Sequence, residues 1–318
     1  MLEGQRGALA RAITWAEDAD PRFPDLLEKV YARIGQGRRL GVTGPPGAGK
    51  STLVNQLARH LRETERSVGV LAVDPSSPFT GGALLGDRIR MEERTMDPGV
   101  FIRSMASRGS RGGLARATVD AFDVMDAFGL EDLIVETVGV GQAEYDVVGV
   151  ADTVLVVLCP GAGDGVQAMK SGLLEVAHVL CVNKSDRPGA DRMVADLSEA
   201  VHLRTAGKDM WATPVVSASA GTDKGVDGVL EAIAGHRAYM AEQGRLAIRR
   251  KEQRLEQVQR VLREGFDGEI WAGRGLKAYA ESMIEASATT HGAAERILDD
   301  LLGSLPKGWS EKQKEGNR

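Results

Sequence analysis

Cysteine occurs twice in 318 residues, at Cys159 and Cys181, and both lie inside apolar runs. That scarcity excludes a disulfide framework and a cysteine-based metal site, and it fits a reducing cytoplasm. Aromatic residues make up 4% of the chain, too few for a stacking platform that reads bases or sugars. A basic surplus is also missing: 40 basic residues stand against 45 acidic ones, a net charge of −5, which argues against a nucleic-acid partner. No apolar stretch approaches the roughly eighteen residues of a membrane span, and the N-terminus has no signal-peptide core. The five histidines, at positions 60, 178, 202, 236 and 291, show no ligand spacing, so none is assigned to a metal. A hydrophobic content of 42% does supply a sizeable core.

The most informative stretch is Gly44-Pro45-Pro46-Gly47-Ala48-Gly49-Lys50-Ser51-Thr52. An apolar run, Leu40–Thr43, precedes it, and a helical pattern, Leu53–Leu61, follows it. Strand, glycine-rich turn and helix start together form a P-loop. A turn without bulky side chains lets backbone N–H groups converge on phosphate oxygens. The helix N-terminus adds unpaired donors and partial positive charge. Lys50 is then placed to reach the β and γ phosphates, and Ser51 to offer its hydroxyl to Mg²⁺.

Three zones organise the chain. Residues 1–37 read as two helices, with Leu9, Ile13 and Ala16 on one face of the first and Leu27, Val30 and Ile34 on the second. Residues 38–235 alternate strands and helices. The strands are expected at Leu40–Thr43, Val68–Val73, Val100–Ser104, Leu133–Glu136, Thr153–Cys159, His178–Asn183 and Pro214–Ser217. Continuous apolar runs such as Val154–Leu158 belong in a sheet covered on both faces, hence mostly parallel. The expectation is a doubly wound α/β domain with its ligand at the carboxyl ends of the strands. Residues 236–318 read as a helical extension. One long charged helix is expected over about 237–264, carrying Ile248, Leu255, Val258 and Leu262, and another over about 292–303.

A P-loop alone does not choose a purine. Asn183-Lys184-Ser185-Asp186, at the end of an apolar strand, does. An aspartate here accepts two hydrogen bonds from the guanine N1–H and 2-amino group, and adenine would leave that carboxylate unpaired. Asn183 and the Lys184 stem buttress the loop and cover the base. Ser219-Ala220 fits a final guanine-contacting turn. Ser217-Ala218 is the competing register, and the later pair is preferred because Gly221 to Gly225 then leads into a helix at Val226. Mg²⁺ needs hard oxygen ligands, and Asp74, Asp87 and Glu136 stand at strand ends or in the adjoining loop, beside Ser51.

With these residues in view, the chain resembles the MeaB/ArgK family, the methylmalonyl-CoA mutase-associated GTPases. The likeness runs through Gly4–Glu17, the P-loop, Asp74-Pro75-Ser76-Ser77-Pro78 and Gly86-Asp87-Arg88. It continues through Arg103-Ser104-Met105, Glu136-Thr137-Val138-Gly139-Val140-Gly141-Gln142, and Pro160-Gly161-Ala162-Gly163-Asp164 with Gln167 and Lys170. The resemblance implies a P-loop GTPase fold with N-terminal helices and a C-terminal helical extension that forms homodimers. It implies a cobalamin-dependent acyl-CoA mutase as partner, methylmalonyl-CoA mutase by default. Cofactor loading from an adenosyltransferase would be gated by GTP and GDP. Asp74, Asp87 and Glu136 would match the Mg²⁺-associated carboxylates. Asp74–Arg88 and Glu136–Gln142 would be the first and second switches. A further switch, Gly161–Gly172, with Asp164, Gln167 and Lys170, would face the mutase.

The expected chemistry is attack of water on the γ phosphate of GTP, with Lys50 and Glu136 as the catalytic side chains. Many GTPases place a glutamine directly after the switch glycine, but here Val140 follows Gly139 and Gln142 lies further on. Slow turnover without a partner is therefore expected. Two other readings compete. A metal-insertion GTPase would need a histidine-rich or cysteine tract that is missing. A kinase linked to amino-acid transport would need an acceptor pocket, and no element supplies one.

Overall fold

The computed structural model describes residues 1, 4–74, 97–106, 113–137, 147–161, 172–205, 210–273, 275–285 and 289–303. They fall into two compact units, Met1–Gln257 and Val258–Arg318.

The first unit is built on a sheet of seven strands: β1 (Arg38–Thr43), β2 (Val68–Asp74), β3 (Val100–Ala106), β4 (Asp132–Thr137), β5 (Thr153–Leu158), β6 (Val179–Val182) and β7 (Val215–Ser217). Each lies within two residues of its expected bounds. Their order across the sheet is β3-β2-β4-β1-β5-β6-β7, and every pairing is parallel. All carboxyl ends therefore share one edge, and β1, which leads into the P-loop, lies between β4 and β5.

Side chains alternate across a strand, so each strand feeds two cores. Leu155 and Val157 join a cluster with Leu53, Leu57 and Leu61 of α3 (Lys50–Glu63) and Val229 and Ile233 of α7 (Val226–Ala241). Val154, Val156 and Leu158 join the opposite cluster. There they meet Leu9 and Ile13 of α1 (Arg6–Glu17), Phe23 of α2 (Phe23–Val30) and Phe122 and Met125 of α4 (Gly113–Phe128). Leu173 of α5 (Leu173–Val176) and Leu197 and Val201 of α6 (Ala190–Thr205) complete it. The continuous apolar runs are thus covered on both faces. The N-terminal helices belong to this core.

The long charged helix expected over 237–264 is two helices. α7 ends at Ala241, and α8 (Arg245–Gly265) starts after a break in which Gln243 and Gly244 take left-handed φ values of 51° and 71°. Glu242, extended at φ −67° and ψ 145°, ends α7, and Gly244 then enters the left-handed region without strain. α8 meets the rest of the first unit through the face opposite to its apolar residues. Arg249 donates to the carbonyls of Val148 and Ala151, and Arg250 to the Asp152 carboxylate and the carbonyls of Gly35 and Gly37. Arg254 pairs with Asp123. The apolar residues Ile248, Leu255, Val258 and Leu262 stay more than half exposed in this chain.

In the second unit α9 (Leu276–Glu285) and α10 (Thr290–Gly303) bury Ala280, Met283, Ala293 and Ile297 against one another, after a π-helical stretch at Phe266–Ala272. α10 covers the helix expected over 292–303, whereas α9 is an element the periodicity did not announce.

Candidate nucleotide site

β1 ends at Thr43, the chain turns through Gly44–Gly49, and α3 begins at Lys50. Two glycines of this turn are required by space and conformation together. Gly44 has φ 137°, and a side chain there would run into the Val157 carbonyl of the neighbouring strand. Gly49 has φ 89°, and a Cβ would stand 2.5 Å from the Asn183 amide nitrogen. Pro46 and Gly47 are exposed, Ala48 is buried beneath them, and Ser51 and Thr52 open the first turn of α3, where helical N–H groups have no intrahelical acceptor. The Lys50 ammonium group is 2.8 Å from the Gly44 carbonyl and 3.0 Å from that of Pro45. The lysine thus arches over the turn that would cradle the phosphates.

Behind the turn, β4 delivers Glu136, paired in register with Val42 of β1. The Ser51 hydroxyl donates to Glu136 Oε1 at 2.6 Å, and the Thr137 hydroxyl donates to that of Thr43 at 3.0 Å. A hydroxyl and a carboxylate oxygen therefore meet at the foot of the phosphate-binding turn. This hard-oxygen pair suits Mg²⁺. Asp74 ends β2 at the same edge of the sheet, although its carboxylate lies outside the described side chains. Asp87, Gln142, Asp164, Gln167 and Lys170 all lie outside the described residues. Among the described residues no group of three or more histidine, cysteine, aspartate or glutamate side chains is gathered to hold a metal.

A second cluster is assembled at the ends of β6 and β7. Asn183 is buried and ties three segments together. Its amide nitrogen donates to the Ala48 carbonyl at 2.8 Å, and its amide oxygen accepts from the Ala220 N–H at 3.0 Å. Lys184, with φ 56°, lays its stem back so that its ammonium donates to the Gly47 carbonyl at 2.5 Å. Asp186 is exposed, and its Oδ1 accepts from the Ser219 hydroxyl at 2.5 Å. That hydrogen bond, helped by Asp186's own N–H, holds the carboxyl below the usual carboxylate range. Ala218 continues the β6 pairing through its N–H to the Val182 carbonyl, so Ser219 and Ala220 are the residues that face Asn183 and Asp186.

A second set of contacts carries no signal in the sequence. Gln56, Arg59 and His60 lie on one face of α3, at helical spacing, and reach the turn after Ala220. Arg103 lies in β3 and pairs with Glu17 of α1 at 2.6 Å and with the Thr14 hydroxyl at 3.0 Å.

Comparison with known proteins supplies the family. Residues 9–274 match the family described as methylmalonyl-CoA mutase-associated GTPase MeaB. A GTPase of Pyrococcus abyssi is 43% identical over 95% of both chains. The mouse protein named methylmalonic aciduria type A homolog, mitochondrial, is 33% identical over 83% of this chain and 68% of its own. A crystal structure titled LAO/AO transport system kinase superposes over 95% of both chains with a TM-score of 0.73 at 27% identity. The nucleotide bound is a guanine nucleotide, the reaction is hydrolysis of GTP, and the chain belongs to the MeaB family of GTPases.

Proposed function

We propose that this GTPase serves a cobalamin-dependent acyl-CoA mutase, with methylmalonyl-CoA mutase the first candidate, and gates the loading of its adenosylcobalamin from an adenosyltransferase while protecting the enzyme. The family match over residues 9–274 carries the reading, because the family is described by its association with that mutase. Homodimers fit the exposed apolar residues Ile248, Leu255, Val258 and Leu262, which a second copy would cover. A cytoplasmic setting fits two free, buried cysteines, with burial pushing the Cys181 thiol up to about 12.

The chain's own residues account for phosphate chemistry in an ordered way. The N–H groups of the Gly44–Gly49 turn and of the first turn of α3 hold the phosphate oxygens in line. Lys50 exchanges its carbonyl partners for the β and γ phosphates and stabilises charge there as the bond breaks. Ser51 and Glu136 would hold Mg²⁺, with Asp74 and Asp87 as further oxygen donors. Bound there, the ion neutralises charge that builds on the phosphate oxygens. Asp186, Ser219 and Ala220 select guanine. Glu136 leads directly into residues 138–146, so a change at the γ phosphate reaches the proposed second switch with Gln142, while Asp164, Gln167 and Lys170 of the proposed third face the mutase.

Single-turnover GTP hydrolysis with and without purified methylmalonyl-CoA mutase tests this. A faster rate with the mutase is expected, and Lys170→Ala should weaken that acceleration while leaving GDP affinity intact. Equal rates, with no co-elution of the two proteins in either nucleotide, would overturn the partner.

A further inference from the structure

The turn that follows β7 is built under constraint. A two-way bridge between Ser219 and Lys224 closes it, with N–H to carbonyl distances of 2.8 and 3.2 Å. Asp223 takes φ 60° inside it, a left-handed conformation that a non-glycine residue adopts at some cost. Gly225 follows at φ 74°, and a side chain there would strike the Ser217 carbonyl. Such a turn keeps its shape only if its surroundings fix it.

Those surroundings are largely one face of α3. Gln56 Nε2 donates to the Ala220 carbonyl at 3.1 Å. One turn further, Arg59 pairs with Asp223. His60 places Nε2 3.0 Å from Asp223 Oδ1 and Nδ1 3.0 Å from Asp227 Oδ1. Partial burial raises the Asp223 carboxyl, but hydrogen bonds from His60 and Arg59 outweigh it and hold the group below its ordinary value.

A closed circuit results. α3 starts at the phosphate turn, whose Ala48 carbonyl is held by Asn183. Asn183 holds the N–H of Ala220, and Gln56 of α3 holds the carbonyl of the same residue. Ser219, the residue before it, aims the Asp186 carboxylate. We propose that Gln56, Arg59 and His60 are positioning residues for purine selection, fixing the Ser219–Asp227 turn so that Asp186, steered by Ser219, meets guanine in register. This rests on the reading of Asp186, Ser219 and Ala220 as the guanine-side contacts. Selection of this kind depends on geometry, since hydrogen bonds weaken steeply once misaligned. Adenine forms none of the paired contacts, so its affinity is insensitive to the turn's position.

The test titrates GDP and ADP into the wild-type protein and into Gln56→Ala, Asp223→Ala and Asp223→Asn, with a thermal midpoint for each. In the two alanine variants GDP affinity should fall about tenfold while ADP affinity holds, so the preference narrows about tenfold. Asp223→Asn keeps an acceptor for Arg59 and should lose less. GDP affinity unchanged within about twofold would overturn the inference, and so would a parallel fall in GDP and ADP affinity. A wild-type protein that binds ADP as tightly as GDP would overturn the guanine reading itself, and the inference with it.

Discussion

At the scale of single residues, Asp186 carries the most specific role proposed for this site. Its carboxylate is exposed, steered by Ser219, and able to accept from two adjacent donors on a base. Asp186→Asn would turn one of those acceptors into a donor. Xanthine carries a 2-carbonyl where guanine has its amino group, so the variant should prefer xanthosine diphosphate over GDP, reversing the wild-type ratio by about a hundredfold. Competition against a fluorescent nucleotide measures that ratio, and an unchanged ratio would mean the side chain faces something other than the base. This part of the site was legible because its chemistry is local. A glycine-rich turn and an Asn-Lys-x-Asp segment each carry their geometry in adjacent residues. Gln56 and His60 were illegible for the opposite reason: their partners lie 164 and 163 residues away, and nothing in α3 announces them.

At the scale of elements, apolar runs located the strands, and polar pairing hid the docking of α8. Asp120, Asp123 and Asp126 recur every three residues on α4, a spacing that ordinarily marks a solvated face. All three are buried. Asp126 accepts from the N–H groups of Gly35, Gln36 and Gly37 at 2.7, 3.2 and 2.8 Å. Asp123 lies between Arg39 at 2.6 Å and Arg254 at 2.5 Å. A periodicity argument sees only the carboxylates, and their partners come from three other parts of the chain. The asymmetry of the cluster makes a ranked prediction. Asp123→Ala leaves the Arg39 guanidinium, only 7% exposed, with just the longer 3.7 Å approach to Asp126 and should cost about 3 kcal/mol. Arg254 is 32% exposed, and its removal leaves Asp123 paired with Arg39, so Arg254→Ala should cost about 1 kcal/mol. Urea denaturation of both variants checks the order, and equal losses would show that the pair near solvent matters as much as the buried one.

At the scale of the whole molecule, the parallel sheet separates two kinds of chemistry. The nucleotide loops occupy its carboxyl edge, whereas Thr153 and His178 stand at the amino ends of β5 and β6. There His178 and His236 stack with ring centroids 4.2 Å apart, edged by Trp211. His178 Nδ1 accepts from the Val154 N–H at 2.9 Å, and His236 Nδ1 is 2.9 Å from the Thr153 hydroxyl. Burial lowers both rings, His178 to about 2 with help from neighbouring His236 and then Arg249, and His236 to about 4 with help from Arg249 and against the pull of nearby Asp152. Both rings are therefore neutral when folded, while an unfolded chain protonates them below about pH 6.5. The unfolded state then binds more protons, so stability is fully present above about pH 6.5 and falls as the pH drops toward 4. Each histidine contributes up to about 1.4 kcal/mol per pH unit in that window. Thermal midpoints between pH 7 and 5 should decline, and His236→Gln should make the decline shallower. Saturating GDP should raise every midpoint, because it binds only the folded state, yet leave the slope alone, because it engages the other edge of the sheet. A slope that flattens with GDP would mean the two edges are energetically coupled, and a decline unaltered in His236→Gln would place the acid sensitivity in other groups.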